Sequence, residues 1–440
     1  MNPSSMNALA RVFLAGEPSA EKILERANYF FGREWRWMRP LAKRYVRKFS
    51  SGPRPRQRDV FNFLAADRDF AAARLKHADS LTVAHWVGEQ SAMWPANLAS
   101  DWGLPGITTT GGLAAWAGLT VGDLEWLADL KAFGRRNENH RLRHYHYRIT
   151  AKRSGEFRLI EAPKLRLKLV QRKILAELLD KIPPHNAAHG FVRGRSIRSF
   201  AAPHSGRRVV LRMDVRDFFP SIGSARVQAL FRMLGYPEPV ADLLGGLCTT
   251  ITPRSIWPHG ANAAERERMI QLQRFYDRPH LPQGAPTSPA LGNICFFRAD
   301  SRLAGLAKSA GATYTRYADD LAFSGSVLFE RSVDRFATHA AAILLEEGFA
   351  PNFRKTRVMR KGVRQRLAGL SINTKPNVIR ADYDRLKATL TNCARHGSAS
   401  QNRDRRSDFR AHLRGRIAFV ASVNAEKGSK LLAIFNRIVW

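Results

Sequence analysis

Cysteine is scarce in this 440-residue chain. Cys248, Cys295 and Cys393 lie far apart and no Cys-x-x-Cys spacing occurs. This argues against a disulfide scaffold and against a cysteine-based zinc module. Acidic residues are few as well: 37 Asp and Glu stand against 72 Lys and Arg. No run reaches the roughly 18 apolar residues of a membrane helix. The first residues show no basic segment followed by a clean apolar stretch, since Leu9 to Gly16 is short and contains Arg11. No signal peptide is therefore expected, and the expected location is the cytoplasm. Internal repeats and long low-complexity tracts are also missing.

What the chain does have is positive charge. The net value of +35 points to a polyanionic partner, because each Lys or Arg that neutralises a phosphate releases counterions. Nucleic acid is the leading reading. An anionic membrane surface and plain solubility are the alternatives. Hydrophobic residues make up 44% of the chain, enough for large cores, and the length suggests two or three units.

The N-terminal stretch reads as mostly helical and basic. Residues 33–58 carry ten Lys or Arg and one acid, Glu34, interleaved with Trp35, Trp37, Tyr45 and Phe49. Two readings stay open: phosphate contact with base stacking, or an amphipathic helix with aromatics inside and arginines wet. Ser51 to Pro55 breaks that helix. Residues 94–112 read as an irregular loop and Leu113 to Phe133 as a helix. Beyond Arg141 the pattern changes to α+β. Strands are expected at Tyr145–Ile149 and Phe157–Ile160 around a turn at 152–155, and at Val209–Asp214 and Tyr314–Ser324. Helices are expected at Leu165–Leu179 and Val333–Glu347.

Carboxylates in apolar surroundings are the first sign of chemistry. Asp214 ends the run Val209-Val210-Leu211-Arg212-Met213, and Asp319-Asp320 sits inside Tyr314 to Phe323. Adjacent carboxylates in a strand repel each other and lose hydration; a hairpin tip or a bound cation relieves both. Hard divalent ions held by carboxylates and substrate phosphates are the natural partners, and paired ions serve phosphoryl transfer. An ordinary turn is the alternative.

Here the chain resembles the reverse transcriptases. Tyr317-Ala318-Asp319-Asp320 is similar to their catalytic box. Asp214-Val215-Arg216-Asp217-Phe218-Phe219-Pro220-Ser221-Ile222 is similar to the motif whose first aspartate is the third metal ligand. Leu281-Pro282-Gln283-Gly284-Ala285-Pro286-Thr287-Ser288-Pro289 matches their template- and nucleotide-contacting motif. The resemblance spans roughly residues 113–440. It implies an α+β right-hand polymerase with fingers, palm and thumb: a helical N-terminal region over 1–112, fingers and palm over 113–375 and a thumb over 376–440.

The resemblance also implies residue roles. Asp214, Asp319 and Asp320 would hold two Mg²⁺, with Mn²⁺ as the alternative ion. Phe219 would be the aromatic gate that excludes a 2′-hydroxyl, or else a core residue. Backbone groups at Asp217 and Phe218 would face the triphosphate. Gln283 and Gly284 would lie against nucleotide and template. Arg158 would grip the incoming phosphates, with Lys152 as a second candidate and a solvated hairpin as the alternative for both. Lys355 would sit near the leaving pyrophosphate as a general acid or as simple positive charge. Leu367-Ala368-Gly369-Leu370 resembles the primer-grip hairpin.

Within the family, Ala188-His189-Gly190-Phe191-Val192-Arg193-Gly194-Arg195-Ser196-Ile197 and Arg316 to Leu321 look like bacterial retron-type enzymes. Two retron strings depart. Phe200-Ala201-Ala202-Pro203-His204 lacks the usual Asn, and Leu367-Ala368-Gly369 replaces Val-Thr-Gly. His204 is read as an RNA contact or a satisfied surface histidine. Arg403, Arg405, Arg406, Arg410, Arg414 and Arg416 are read as a thumb-helix run along the duplex backbone, or as a solvated face. No maturase extension, nuclease or ribonuclease H region is expected after them.

The resulting expectation is an RNA-directed DNA polymerase of retron type. It would extend a primer with dNTPs on a structured RNA template, yield cDNA, and act in antiphage defence beside an effector protein, with no membrane partner. A non-retron or template-independent DNA polymerase and a non-catalytic nucleic-acid scaffold are the alternatives.

Overall fold

The computed structural model describes residues 2–136, 139–151, 157–257 and 263–440. Lys152 and the turn at 152–155 lie outside the described residues. The chain forms two compact units, one of Met1–Pro183 with Phe219–Cys295, the other of Pro184–Phe218 with Phe296–Trp440. Among the described residues, no helix is long and apolar enough to cross a membrane.

The first unit begins with helices Pro3–Leu14, Ala20–Phe31, Met38–Phe49, Gln57–Ala66 and Arg68–Lys76. Side-chain caps start several of them: Asn2 accepts from the Ser5 N–H, Ser19 from that of Lys22, and Asp67 from that of Phe70. Each cap satisfies an orphan donor of a first turn. Leu9, Phe13, Ile23, Phe30, Leu41, Tyr45, Val60 and Leu64 recur at helical spacing and form one core. Trp35 and Tyr45 are buried in it, and Trp37 and Phe49 pack against it. The packing reading thus holds for the basic-aromatic segment, and stacking on bases by these rings does not. The segment also joins the unit's later helices. The Arg54 N–H bonds the Arg232 carbonyl at 3.1 Å, and Arg56 Nη2 lies 3.3 Å from Asp242.

Residues 113–133 form two helices rather than one, Thr110–Ala117 and Val121–Ala128. Gly118 ends the first in a left-handed conformation and Thr120 caps the second. Strands β1 (Tyr145–Ala151) and β2 (Phe157–Pro163) pair antiparallel, with Thr150 opposite Arg158. Alternation along β2 turns Leu159 and Glu161 inward and leaves Arg158 exposed.

The second unit is built on β3 (Val209–Arg216), β4 (Thr313–Tyr317), β5 (Asp320–Gly325), β6 (Ala350–Pro351) and β7 (Arg357–Arg360). Their order is β4-β5-β3, with β6 and β7 along the other edge of β3, all antiparallel. Residues 314–324 are therefore a hairpin and not a single strand, with Ala318 at φ 55° in its turn. Helix Val327–Glu346 buries Phe329, Val333, Phe336, Ala340 and Leu344, and the Phe336 ring lies 5.0 Å from that of Phe323 on β5. Three short strands, β8 (Arg366–Leu367), β9 (Leu370–Ser371) and β10 (Asn377–Val378), share a core with helices Arg380–His396, Phe409–Val423 and Ala425–Phe435. Of the six arginines assigned to a thumb helix, only Arg410, Arg414 and Arg416 lie on one; Arg403, Arg405 and Arg406 precede it.

Candidate active site

Antiparallel register brings the carboxylates together. Asp214 on β3 stands directly opposite Asp320 on β5. Asp319 occupies the hairpin turn, and its carbonyl accepts from the Val215 N–H at 2.9 Å. Asp214 is only 3% exposed. Its Oδ1 accepts from Asn352 Nδ2 at 3.0 Å, and Lys355 Nζ lies 3.1 Å from both of its oxygens. Arg212 Nε and Nη2 lie 2.9 and 2.6 Å from Asp320 Oδ1.

Crowded negative charge shows in the protonation behaviour. Burial pushes the Asp319 carboxyl up to about 6, and Asp214 and Asp320 add to the rise. Burial also raises Asp320, opposed by Arg212. Two carboxylates thus already recruit cations, Lys355 on one and Arg212 on the other, while Asp319 is left strained by like charge. Among the described residues, no set of three or more His, Cys, Asp or Glu side chains converges as a ready metal cage. The donor chemistry nevertheless fits hard divalent ions, since all three groups are carboxylates.

The hairpin that carries Asp319 is braced from beneath. Arg316 and Asp300 are both fully buried and paired at 2.7 Å, and the Arg316 guanidinium lies 4.6 Å from the Phe296 ring. Arg316 Nη1 also donates to the Ala318 carbonyl at 3.0 Å, in the turn itself. Tyr314 donates to Asp300 at 2.7 Å. The Ala187–His189 segment lies along β4: the His189 N–H bonds the Arg316 carbonyl and the Arg316 N–H bonds the Ala187 carbonyl, each at 2.7 Å. Next to it, a Cβ on Gly190 would come 2.5 Å from the Ala318 nitrogen, so only glycine fits against the turn.

His204 is neither a surface residue nor an RNA contact. It is wholly buried, with Nδ1 2.7 Å from Ser324 Oγ and Nε2 2.7 Å from Thr315 Oγ1. The Thr315 hydroxyl donates to the Phe200 carbonyl, so its oxygen accepts from Nε2–H and leaves Nδ1 to accept from Ser324. Burial pushes the imidazole down to about 3. This neutral histidine ties β4 and β5 together behind the site.

Of the other predicted residues, Asp217 and Phe218 follow β3 in the same unit as the aspartates. Asp217 takes a positive φ of 46° and accepts from Arg216. The Phe218 ring packs against the Phe296–Phe349 pair and is buried. Arg158, Phe219, Gln283 and Gly284 belong to the first unit. There the Gln283 carbonyl accepts from the Glu161 N–H at 2.9 Å, which fixes the Gln283-Gly284 loop to the strand that carries Arg158. Gly284 takes φ 135°, and a Cβ on it would meet the Glu161 carbonyl at 3.0 Å. Behind that contact Glu161, fully buried, accepts from Thr252 at 2.7 Å and pairs with His280 at 2.8 Å.

Sequence reasoning gave no role to Asn352, Arg212, Arg316, Asp300, Glu161 or His280. A charged residue within an apolar strand, such as Arg316, does signal a buried partner; the identity of that partner is not in the pattern.

Comparison with known proteins identifies the family. Residues 150–377 match the family model of reverse transcriptase (RNA-dependent DNA polymerase). The chain is 43% identical over 338 residues to the retron Mx65 reverse transcriptase of Myxococcus xanthus, covering 75% of this chain and 72% of that protein. It is 36% identical over 340 residues to the retron Mx162 reverse transcriptase of the same organism, covering 75% and 67%. With the retron Ec86 reverse transcriptase of Escherichia coli it shares 28% over 301 residues, covering 67% and 82%. On that similarity the chain belongs to the reverse transcriptases, as a member of the retron type.

Proposed function

We propose that this RNA-directed DNA polymerase extends a primer with dNTPs on a structured RNA template, with Asp214, Asp319 and Asp320 as holders of two divalent ions. The observation that carries the reading is the pairing of Asp214 with Asp320 across β3 and β5, with Asp319 in the adjoining turn. Asp214, Asp319 and Asp320 would hold these ions, which would supply activation of the primer 3′-hydroxyl and positive charge for the leaving pyrophosphate. The protein's own groups do the rest. Arg158 offers an exposed guanidinium to phosphate oxygens. Phe219 excludes a 2′-hydroxyl. The Gln283-Gly284 backbone, held by Glu161, lies against nucleotide and template. Lys355 pairs with Asp214 and supplies the cation assigned to the pyrophosphate.

The experiment is to purify the protein from its native locus and sequence the nucleic acid that accompanies it, before and after ribonuclease. A short DNA joined to one defined RNA is the expected result and names the template. Bound RNA without any DNA contradicts the retron product. Defence against phage in the cytoplasm, with an effector protein, is the wider role we infer from the resemblance; plating efficiency with and without Asp319→Asn checks it.

A further inference from the structure

The outer face of helix Met38–Phe49 carries charge that the fold does not use. Its twelve residues include Arg39, Lys43, Arg44, Arg47 and Lys48 and no acid. Met38, Leu41, Ala42 and Tyr45 face the core. Arg39, Lys43 and Arg47 are exposed and recur every fourth residue, so they stand one above another about 6 Å apart along one face. Arg44 differs: it faces Asp67 and Asp69 at 2.8 and 3.0 Å. Lys48 lies over the Phe49 and Phe63 rings. Among the described residues, no carboxylate pairs with Arg39, Lys43 or Arg47.

Like charges at this spacing repel and destabilise a helix. Arg47, in the last turn, is favoured by the helix dipole, but Arg39 and Lys43 are not, and a polyanion offsets the repulsion along the row. The row is rigid, because the opposite face of the same helix is locked into a core. The interleaved aromatics point into that core, so the face has no ring on which a base could stack. It can read phosphates in a fixed row and cannot read sequence. A rigid cation row matches the ordered backbone of a paired helix, which proteins recognise by shape and phosphate contact.

We propose that this face docks the phosphate backbone of base-paired RNA through Arg39, Lys43 and Arg47. The proposal rests on the reading that the chain works on a structured RNA.

The test compares the full chain with the triple variant Arg39→Gln, Lys43→Gln, Arg47→Gln, using a labelled RNA hairpin of arbitrary stem sequence and a KCl titration. The variant should bind about tenfold or more weakly near physiological salt. Its slope of log affinity against log salt should be shallower by about 2 to 3, close to one unit for each lost phosphate contact. A scrambled stem should give the same change. Primer extension at saturating substrate should keep its rate, since none of the three residues is in the catalytic set. An unchanged slope overturns the proposal. An equal loss on a DNA duplex of the same sequence overturns the assignment to RNA. If the parent chain extends no primer, the polymerase reading fails, and the slope comparison still decides the docking face.

Discussion

Lys355 holds Asp214 from the loop between β6 and β7, with its ammonium nitrogen 3.1 Å from both carboxylate oxygens. Asn352, three residues earlier, donates to the same carboxylate. A single loop thus supplies both partners of the buried aspartate. A divalent ion held by Asp214, as proposed, would compete with this ammonium for the carboxylate.

Lys355→Gln should therefore lower two quantities. The Mg²⁺ concentration for half-maximal incorporation should fall about twofold to fivefold, the worth of a half-exposed ion pair. The rate at saturating Mg²⁺ should fall by about 10²-fold if the ammonium assists departure of pyrophosphate. A Mg²⁺ titration of incorporation reads both. An unchanged half-maximal concentration contradicts the competition.

The Arg316–Asp300 pair should be costly to break from either side. Both side chains are fully buried, and removing one leaves an uncompensated charge, a loss of about 3–5 kcal/mol. Arg316→Met or Asp300→Asn should lower the urea midpoint accordingly. Arg316→Met should also slow incorporation in the folded fraction, because the Ala318 carbonyl loses its donor. Wild-type stability in either variant would contradict the bracing role.

Histidine burial sets the acid side of stability. His204 is held neutral, its value pushed from about 6.5 down to about 3 by burial, with Arg207 and His189 adding to the fall. His189 itself is pushed down to about 4 by burial and by Arg195. The unfolded chain binds these protons first, so stability is full above about 6.5 and is lost as pH falls toward 3 to 4. Urea midpoints between pH 7.5 and 4.5 should fall for the wild type and fall less steeply for His204→Gln. Parallel slopes would remove His204 from the account.

Phe219→Ala should relax sugar selection. Incorporation of rNTPs relative to dNTPs should rise about 10- to 100-fold, the range expected for removing one steric contact. Single-nucleotide addition on one primed RNA measures the ratio. An unchanged ratio with lower stability would make Phe219 a core residue.

The carboxylates were legible because an aspartate in an apolar strand demands a partner, and their order matched a known set of motifs. The hairpin was harder to place: aspartate is the sole turn former in Tyr317-Ala318-Asp319-Asp320, with no Gly, Pro or Asn beside it and apolar flanks on both sides, so residues 314–324 read as one strand. His204 sits between Pro203 and Ser205-Gly206, which looks like a surface turn. Its partners Thr315 and Ser324 lie more than 100 residues away, and local pattern cannot supply them. The basic-aromatic segment fitted two readings until helix geometry put Tyr45 inside and Lys43 outside. Glu161 and His280 are separated by 119 residues, and nothing local marks them as a pair.

The most direct test of the central claim is primer extension on an annealed RNA template with Mg²⁺ and dNTPs, comparing the wild type with Asp319→Asn and Asp320→Asn. The account predicts template-directed DNA synthesis by the wild type, loss on chelation, and a fall of about 10³-fold or more in each variant with the thermal midpoint retained. Synthesis by either variant at a rate near the wild type would contradict the placement of the chemistry on this hairpin.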